Sequence, residues 1–231
     1  MIPLRDTIPS QRFPIVNYAL IGLCTWAFLL ELAAGPQLED LITVYGLVPA
    51  RFMALQDRLG VFVPDVYLPF LTSIFLHGGW AHFLGNMLYL WIFGDNVEDR
   101  LGHLGYLVFY LAGGIFAGLG HLLMSPGSIV PTIGASGAIA AVMGAYVLLY
   151  PSSRVMTLVV FFFWIEIVAV PAVVYLLFWF VLQLASGTLA LTTTGPAQGG
   201  VAWWAHAGGF IFGFLVVILL RLRRPPSRKA H

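Results

Sequence analysis

The chain has 231 residues, of which 60% are hydrophobic and only 9% charged, and its formal net charge is +1. A typical soluble domain has about 25% charged residues. The composition therefore excludes a soluble globular enzyme, a disordered chain and a nucleic-acid-binding protein with a basic face. It predicts an integral membrane protein whose surroundings are a lipid bilayer. Cys24 is the single cysteine, which excludes an intrachain disulfide and a cysteine-based zinc site.

Six apolar stretches predict six membrane-spanning helices and hence an all-α fold, a six-helix bundle. A helix needs about 20 apolar residues to cross the hydrocarbon layer. The first stretch is longer than the apolar part of a signal peptide, about 7–15 residues, so we expect a retained helix. Residues 1–231 are predicted to form one domain with a core over about 14–222. The predicted spans cover residues 15–34, 80–97, 103–124, 136–150, 171–186 and 201–222.

The segments between the spans differ in character. Residues 35–72 mix charged and apolar side chains, which indicates short amphipathic segments at the membrane interface. Residues 155–169 are also predicted to be interfacial, because Glu166 divides an apolar run too long for one helix. Residues 187–200 are rich in Gly, Thr, Ala and Pro, which predicts a loop that acts as a lid.

The basic residues predict the orientation of the chain. With both termini on the inner side, nine of the eleven lysines and arginines lie inside, and Arg51 and Arg58 lie outside. The positive-inside rule therefore predicts cytoplasmic termini, with residues 223–231 as a basic cytoplasmic tail. A plain six-helix core with short tails favours the inner membrane of a prokaryote.

Four polar residues fall inside apolar spans, where polar groups are costly and often mark function. His82 and Asn86 lie in the second span, Ser136 in the fourth and His206 in the sixth. Each lies within the first two turns of a span that enters from the outer face. The four side chains are therefore predicted to share one site at the same depth. Glu166 is expected on the inner side, solvated and away from this site.

The four residues have complementary chemistry. Ser136 lies in Gly134-Ala-Ser-Gly, where a loop becomes a helix and backbone N–H groups are free to bind an oxyanion. His206 can take the serine proton, which a serine needs to become an effective nucleophile. No acidic residue lies at this depth in the same three spans, so a Ser–His dyad is predicted. No metal site and no cofactor is predicted.

Several other interpretations remain open at this point. A membrane-embedded serine often bonds to a backbone carbonyl, and small residues often only allow close helix packing. A small transporter or a channel would use the same polar side chains as a relay. A non-catalytic protein that binds membrane helices would need no nucleophile. A haem protein would use His82, His121 and His206 as candidate ligands.

Four short motifs, in this order, resemble those of the rhomboid family of intramembrane serine proteases. The resemblance covers about residues 14–222. It implies a six-helix core with Ser136 as nucleophile and His206 as base, and transmembrane segments of single-pass membrane proteins as substrates. His82, Asn86 and the Ser136 backbone N–H would form the oxyanion hole. The motifs are His77-Gly-Gly-Trp-Ala-His82-Phe-Leu-Gly-Asn86, Val97-Glu-Asp-Arg-Leu-Gly102, Gly134-Ala-Ser-Gly137 and Ala205-His-Ala-Gly-Gly-Phe-Ile-Phe-Gly213.

Two positions depart from the family pattern. The family often has a Trp-Arg pair before the second helix, where this chain has Leu68-Pro69. Family members also often carry an aromatic residue one turn after the serine, stacked on the histidine, and this chain has Ala140 there. We therefore expect His206 to be held in another way, by a residue from another helix.

Overall fold

The computed structural model describes residues 2–59, 63–161, 163–193 and 202–222. Within these ranges most residues are helical, and one small sheet contains the three strands. The helices are α1 Ile15–Ala34, α2 Leu38–Tyr45, α3 Pro49–Leu59, α4 Pro64–Thr72, α5 Trp80–Leu101, α6 His103–Met124, α7 Ser136–Leu149, α8 Ala172–Thr193 and α9 Trp203–Leu222, and the strands are β1 Ile2–Asp6, β2 Arg154–Phe161 and β3 Trp164–Pro171.

The long helices lie where apolar stretches predict them, and α1 and α6 have the predicted bounds. α5 continues four residues beyond the predicted end at Val97, through the Glu-Asp-Arg segment to Leu101. Gly102 then ends α5 with φ of 74°, and its N–H donates to the carbonyl of Glu98 at 2.7 Å. This positive φ favours glycine, so α5 and α6 meet at a sharp corner.

In the described part of the chain, four helical segments are long and apolar enough to cross a membrane, which makes the chain an integral membrane protein. α5 is not among them, and it carries four charged residues in its last two turns. α7 is apolar but has only 14 residues. The number of six spans therefore stays a prediction. The four segments are Ile15–Tyr45, His103–Met124, Ala172–Ala190 and Trp203–Arg221.

The prediction of an all-α chain is wrong for the sheet, in which neighbouring strands are antiparallel in the order β1-β2-β3. β2 and β3 are rich in the β-branched residues Val, Ile and Thr, which favour a pleated surface. On the inner face of β2, Val155 and Thr157 are fully buried. Ile165 and Ile167 leave an exposed apolar face on β3, which fits the expected interfacial position.

The predicted loop over residues 187–200 is wrong in its first half, because α8 continues as a helix to Thr193. Gly187 is buried, and a side chain there would meet Trp203 and Trp204 at 3.1 Å. Tertiary packing thus offsets the low helix propensity of glycine. Residues 194–200 of the predicted lid and the basic tail at 223–231 lie outside the described residues.

Three short helices, α2 to α4, occupy the segment between α1 and α5, as predicted for residues 35–72. α4 contains Leu68 and Pro69, the pair that departs from the family pattern. Phe52 and Phe70 pack edge to face, with ring centroids 5.3 Å apart, in a small core beneath these helices.

α7 is the central helix of the bundle, buried from Gly137 to Val147. Its small residues let α9 approach at backbone distance. A Cβ atom at Gly209 would collide with the carbonyl oxygen of Gly137, and one at Gly213 with that of Ala141. Such contacts need residues without side chains. They bring the first turns of α7 and α9 side by side.

Glu98 joins α1 to α5 at the opposite end of the bundle from Ser136. Its carboxylate accepts the backbone N–H groups of Val16 at 3.0 Å and Asn17 at 2.7 Å, and contacts His103 Nδ1 at 2.5 Å. These N–H groups belong to the first turn of α1, where no helical acceptor exists. The second family motif thus serves here as a side-chain cap for another helix.

Candidate active site

The turn before Ser136 is fixed by backbone hydrogen bonds on both sides. Leu47 and Thr132 pair as an antiparallel bridge, and the Gly134 N–H donates to the carbonyl of Ser73 at 2.8 Å. Gly134 has φ of 122°, a conformation that favours glycine. Ser136 follows as the first residue of α7, so the N–H groups beside it have no acceptor within the helix.

His206 meets Ser136 from the first turn of α9. Ser136 Oγ lies 2.7 Å from His206 Nε2, within hydrogen-bonding distance. The His206 ring is buried, with 8% of the residue exposed. Gly209, one turn later on α9, holds this helix against α7. The small residues of both helices therefore set the distance between the hydroxyl and the ring.

The other nitrogen of His206 contacts a residue that sequence analysis did not identify. Gln183 Oε1 on α8 lies 2.7 Å from His206 Nδ1. Because an amide oxygen only accepts, Nδ1–H is the donor and Nε2 is free to accept from Ser136. The ring of Trp179, also on α8, lies 5.6 Å from the His206 ring. Ala140 is buried and offers no ring to the histidine.

His82 and Asn86 approach the turn before Ser136 from one face of α5. The Gly78 N–H donates to His82 Nδ1 at 3.3 Å, so Nε2 of this ring carries the hydrogen. A Cβ atom at Gly134 would lie 2.6 Å from His82 Nε2 and 3.5 Å from Asn86 Nδ2. Asn86 Nδ2 is buried and has no hydrogen-bond partner among the described residues. Two donors therefore converge beside Gly134, two residues before Ser136.

An acidic residue supports this side of the site from α1. The buried Glu31 carboxylate accepts the backbone N–H of His77 at 2.9 and 3.1 Å. The His77 ring lies edge to face with that of His82, 5.3 Å between centroids. Burial and the neighbouring His82 lower the pKa of His77 to about 4, so the ring is neutral at pH 7. Glu31 contacts the loop before α5 and not Ser136.

One open cavity of about 1290 Å³ contains all four predicted site residues in its lining. Trp179, Trp203 and Trp204 line its apolar side, and the loop between α6 and α7 borders it. His121 also lines this cavity.

The three histidines named as candidate haem ligands, His82, His121 and His206, all line the cavity, and both ring nitrogens of His206 have hydrogen-bond partners. Glu166 lies exposed on β3. Ser136 begins α7, which is about 20 Å long, and β2 begins five residues after its other end.

A family model described as Rhomboid domain matches residues 64–223, more than half of the chain. Rhomboid protease GluP of Bacillus subtilis is 33% identical over 146 residues, which are 63% of this chain and 26% of that protein. Rhomboid-like protein 11, chloroplastic, of Arabidopsis thaliana is 30% identical over 154 residues, 65% of this chain and 51% of that protein.

Presenilin-associated rhomboid-like protein A, mitochondrial, of Danio rerio is 27% identical over 177 residues, which are 71% of this chain and 42% of that protein. The chain thus spans between about a quarter and a half of the length of these three relatives. The region that the family model matches, residues 64–223, contains Ser136 and His206.

Proposed function

This chain belongs to the rhomboid family, and we propose that it is a serine endopeptidase that cleaves single-pass membrane proteins within or near the bilayer. The observation that carries the proposal is the 2.7 Å contact between Ser136 Oγ and His206 Nε2 inside an open cavity. A serine next to a base with a free acceptor nitrogen is the arrangement that nucleophilic catalysis requires.

The proposed reaction has two stages. His206 Nε2 takes the proton of Ser136 Oγ while this oxygen attacks the carbonyl carbon of the scissile peptide bond. The imidazolium then gives its proton to the leaving amine, the C–N bond breaks, and an acyl-enzyme remains on Ser136. A water molecule then attacks the ester carbonyl carbon while His206 takes one of its protons. The bond between this carbon and Ser136 Oγ breaks, His206 returns the proton to Ser136 Oγ, and the acid product is released.

The negative charge that develops on the carbonyl oxygen needs donors that are already oriented. We assign this role to His82 Nε2–H, Asn86 Nδ2 and the backbone N–H of Ser136. Among the described residues the buried Asn86 Nδ2 has no hydrogen-bond partner, which supports the assignment, because a donor without a partner costs free energy unless a ligand satisfies it.

Asn86→Ala is expected to lower kcat by about 10²–10³-fold, the usual effect of removing one oxyanion-hole donor. KM should change little, because the donor is needed mainly in the transition state. The measurement is steady-state cleavage of a reconstituted membrane substrate. Gln56→Ala, which removes an exposed amide on α3, is the control and should retain wild-type kcat. A kcat for Asn86→Ala within twofold of wild type would exclude the assignment.

The proposed substrates are transmembrane segments that unwind easily. A helix hides its peptide bonds in its own hydrogen bonds, so the segment must open before Ser136 can reach a carbonyl. Glycine and proline weaken helices by about 1 and 3 kcal/mol per residue relative to alanine. We therefore expect cleavage sites near glycine, proline or other small residues.

Cleavage of a reconstituted single-pass substrate by wild type and by Ser136→Ala tests the proposal. Wild type should cut the substrate, and Ser136→Ala should leave it intact, because the hydroxyl is the proposed nucleophile. Ser152→Ala, in the exposed turn after α7, is the matched control and should cut at the wild-type rate. Equal cleavage by wild type and Ser136→Ala would refute the proposal, as would an inert wild type that nevertheless binds the segment.

We further propose that the chain lies in a prokaryotic inner membrane with both termini in the cytoplasm. Support comes from Arg5, Arg100 and Arg154, which lie at the end of the bundle opposite Ser136, in β1, at the end of α5 and at the start of β2. Positive residues remain on the cytoplasmic side of a membrane. Arg51, by contrast, donates to the carbonyl of Gly46, near the Ser136 end.

Labelling of introduced single cysteines tests this orientation. The native Cys24 is fully buried and should react slowly, so it should give little background. Ile129→Cys lies in the exposed loop between α6 and α7, and Ser152→Cys in the turn after α7. In bacterial spheroplasts, a membrane-impermeant maleimide should label Ile129→Cys directly and Ser152→Cys only after permeabilisation. The opposite pattern would contradict cytoplasmic termini.

A further inference from the structure

We propose that Gln183 is a positioning residue of the active site: its side-chain carbonyl holds His206 in the tautomer and orientation that can deprotonate Ser136. The inference rests on the proposed function and adds a third residue to the Ser–His pair. Gln183 would act through His206 and would not touch the substrate carbonyl.

The three side chains form a continuous chain of hydrogen bonds. Ser136 Oγ lies 2.7 Å from His206 Nε2, and His206 Nδ1 lies 2.7 Å from Gln183 Oε1. His206 and Gln183 are both buried, with 8% and 6% of their surfaces exposed. Solvent therefore competes little for the hydrogen on His206 Nδ1, and Gln183 Oε1 accepts it.

The orientation of the amide follows from its second hydrogen bond. Gln183 Nε2 lies 3.3 Å from the carbonyl oxygen of Trp179, one turn earlier on α8. A carbonyl only accepts, so the NH₂ group must face Trp179 and Oε1 must face His206. A reversed amide would present a donor to Nδ1. The hydrogen of the ring would then lie on Nε2, and His206 could not accept the proton of Ser136.

The position of Gln183 explains how His206 is held although α7 offers no aromatic ring. Ala140 is buried on α7, and Gly209 on α9 approaches the Gly137 carbonyl too closely for a large side chain between the helices. The support comes from α8, where Gln183 bonds to the ring and Trp179 packs 5.6 Å from it. A neutral amide fixes the tautomer without burying a charge at this depth.

Gln183→Met tests the inference, because methionine has a similar length but offers no comparable acceptor. We expect kcat to fall by about 10–100-fold, the effect of losing one buried hydrogen bond to a group that becomes charged during reaction, with KM within twofold of wild type. Gln183→Glu restores an acceptor oxygen, and its kcat should be at least tenfold higher than that of Gln183→Met. The control Thr188→Val removes a hydrogen bond from the same helix, away from His206, and should keep wild-type kcat.

The results separate this inference from the proposed function. If wild type cleaves and Gln183→Met has a kcat within twofold of it, Gln183 has no positioning role, although the protease proposal stands. If Gln183→Glu is as inactive as Gln183→Met while both unfold at the wild-type temperature, the acceptor is not what matters and the inference is wrong. A wild type without any cleavage overturns the proposed function itself.

Discussion

His206→Ala is expected to lower kcat for substrate cleavage by about 10⁴–10⁶-fold, the range for removing the base of a serine hydrolase. Ser136 would keep its place at the start of α7 but lose the acceptor 2.7 Å from its hydroxyl. An un-ionised hydroxyl without a base is a weak nucleophile. Cleavage of a reconstituted substrate, measured under single-turnover conditions, gives the loss directly.

The control for this prediction is a histidine at the other end of the bundle. His103→Ala removes a half-exposed ring that contacts Glu98 at the start of α6. Because this ring lies away from Ser136, the variant should cleave the substrate at the wild-type rate. Both variants must remain folded, which intrinsic fluorescence in detergent can verify. A folded His206→Ala protein with more than a tenth of wild-type kcat would remove His206 from the role of base.

Gly213→Ala is expected to destabilise the bundle and reduce activity together. A methyl group at Gly213 would collide with the backbone carbonyl of Ala141 on α7, and a backbone atom cannot rotate away. α9 must therefore shift, and with it the ring of His206. Overpacking of this kind costs about 1–3 kcal/mol. We expect an apparent unfolding temperature lower by several degrees and at least a tenfold loss of kcat.

Gly22→Ala is the matched control, because α1 leaves open space at that position. Alanine favours a helix over glycine by about 0.5–1 kcal/mol, so this variant should unfold at the wild-type temperature or above it. The comparison requires one fixed scan rate, because unfolding of a membrane protein in detergent is often irreversible. Equal unfolding temperatures for both variants would show that α9 does not depend on close backbone contact at Gly213.

The bounds of α1 and α6 could be predicted because each helix is an unbroken apolar run with a clear boundary. Pro14 precedes α1, and Gly102 separates α5 from α6. The sheet could not, because β2 and β3 are apolar on both faces and lack the alternation that identifies a strand. β1 has five residues and forms by pairing with β2, more than 140 residues away, so its local sequence carries little signal.

The end of α8 was mispredicted for a related reason. Gly187 and the threonines after it have low helix propensity, which indicated a loop. Contact of Gly187 with Trp203 and Trp204 keeps this part helical, and such a contact is not visible in a local window. The predicted span over 171–186 already includes Gln183, and tertiary packing extends this helix to Thr193.

The four proposed site residues could be nominated because each is a polar side chain in the first two turns of an apolar span. Gln183 and Glu31 are also polar side chains in apolar spans, but they lie near the ends of the predicted fifth span and of the first. Neither belongs to a motif, and a lone amide or acid does not indicate its partner. Only the packing of α8 on α9 shows that Gln183 contacts His206.

The most direct test of the central claim is reaction of the purified protein with a fluorophosphonate probe, followed by peptide mass spectrometry. One adduct is expected, on Ser136, formed in wild type and at least 100-fold more slowly in His206→Ala. A protein that stays unlabelled, or one labelled on another residue with Ser136 unmodified, would contradict the claim that Ser136 is an activated nucleophile.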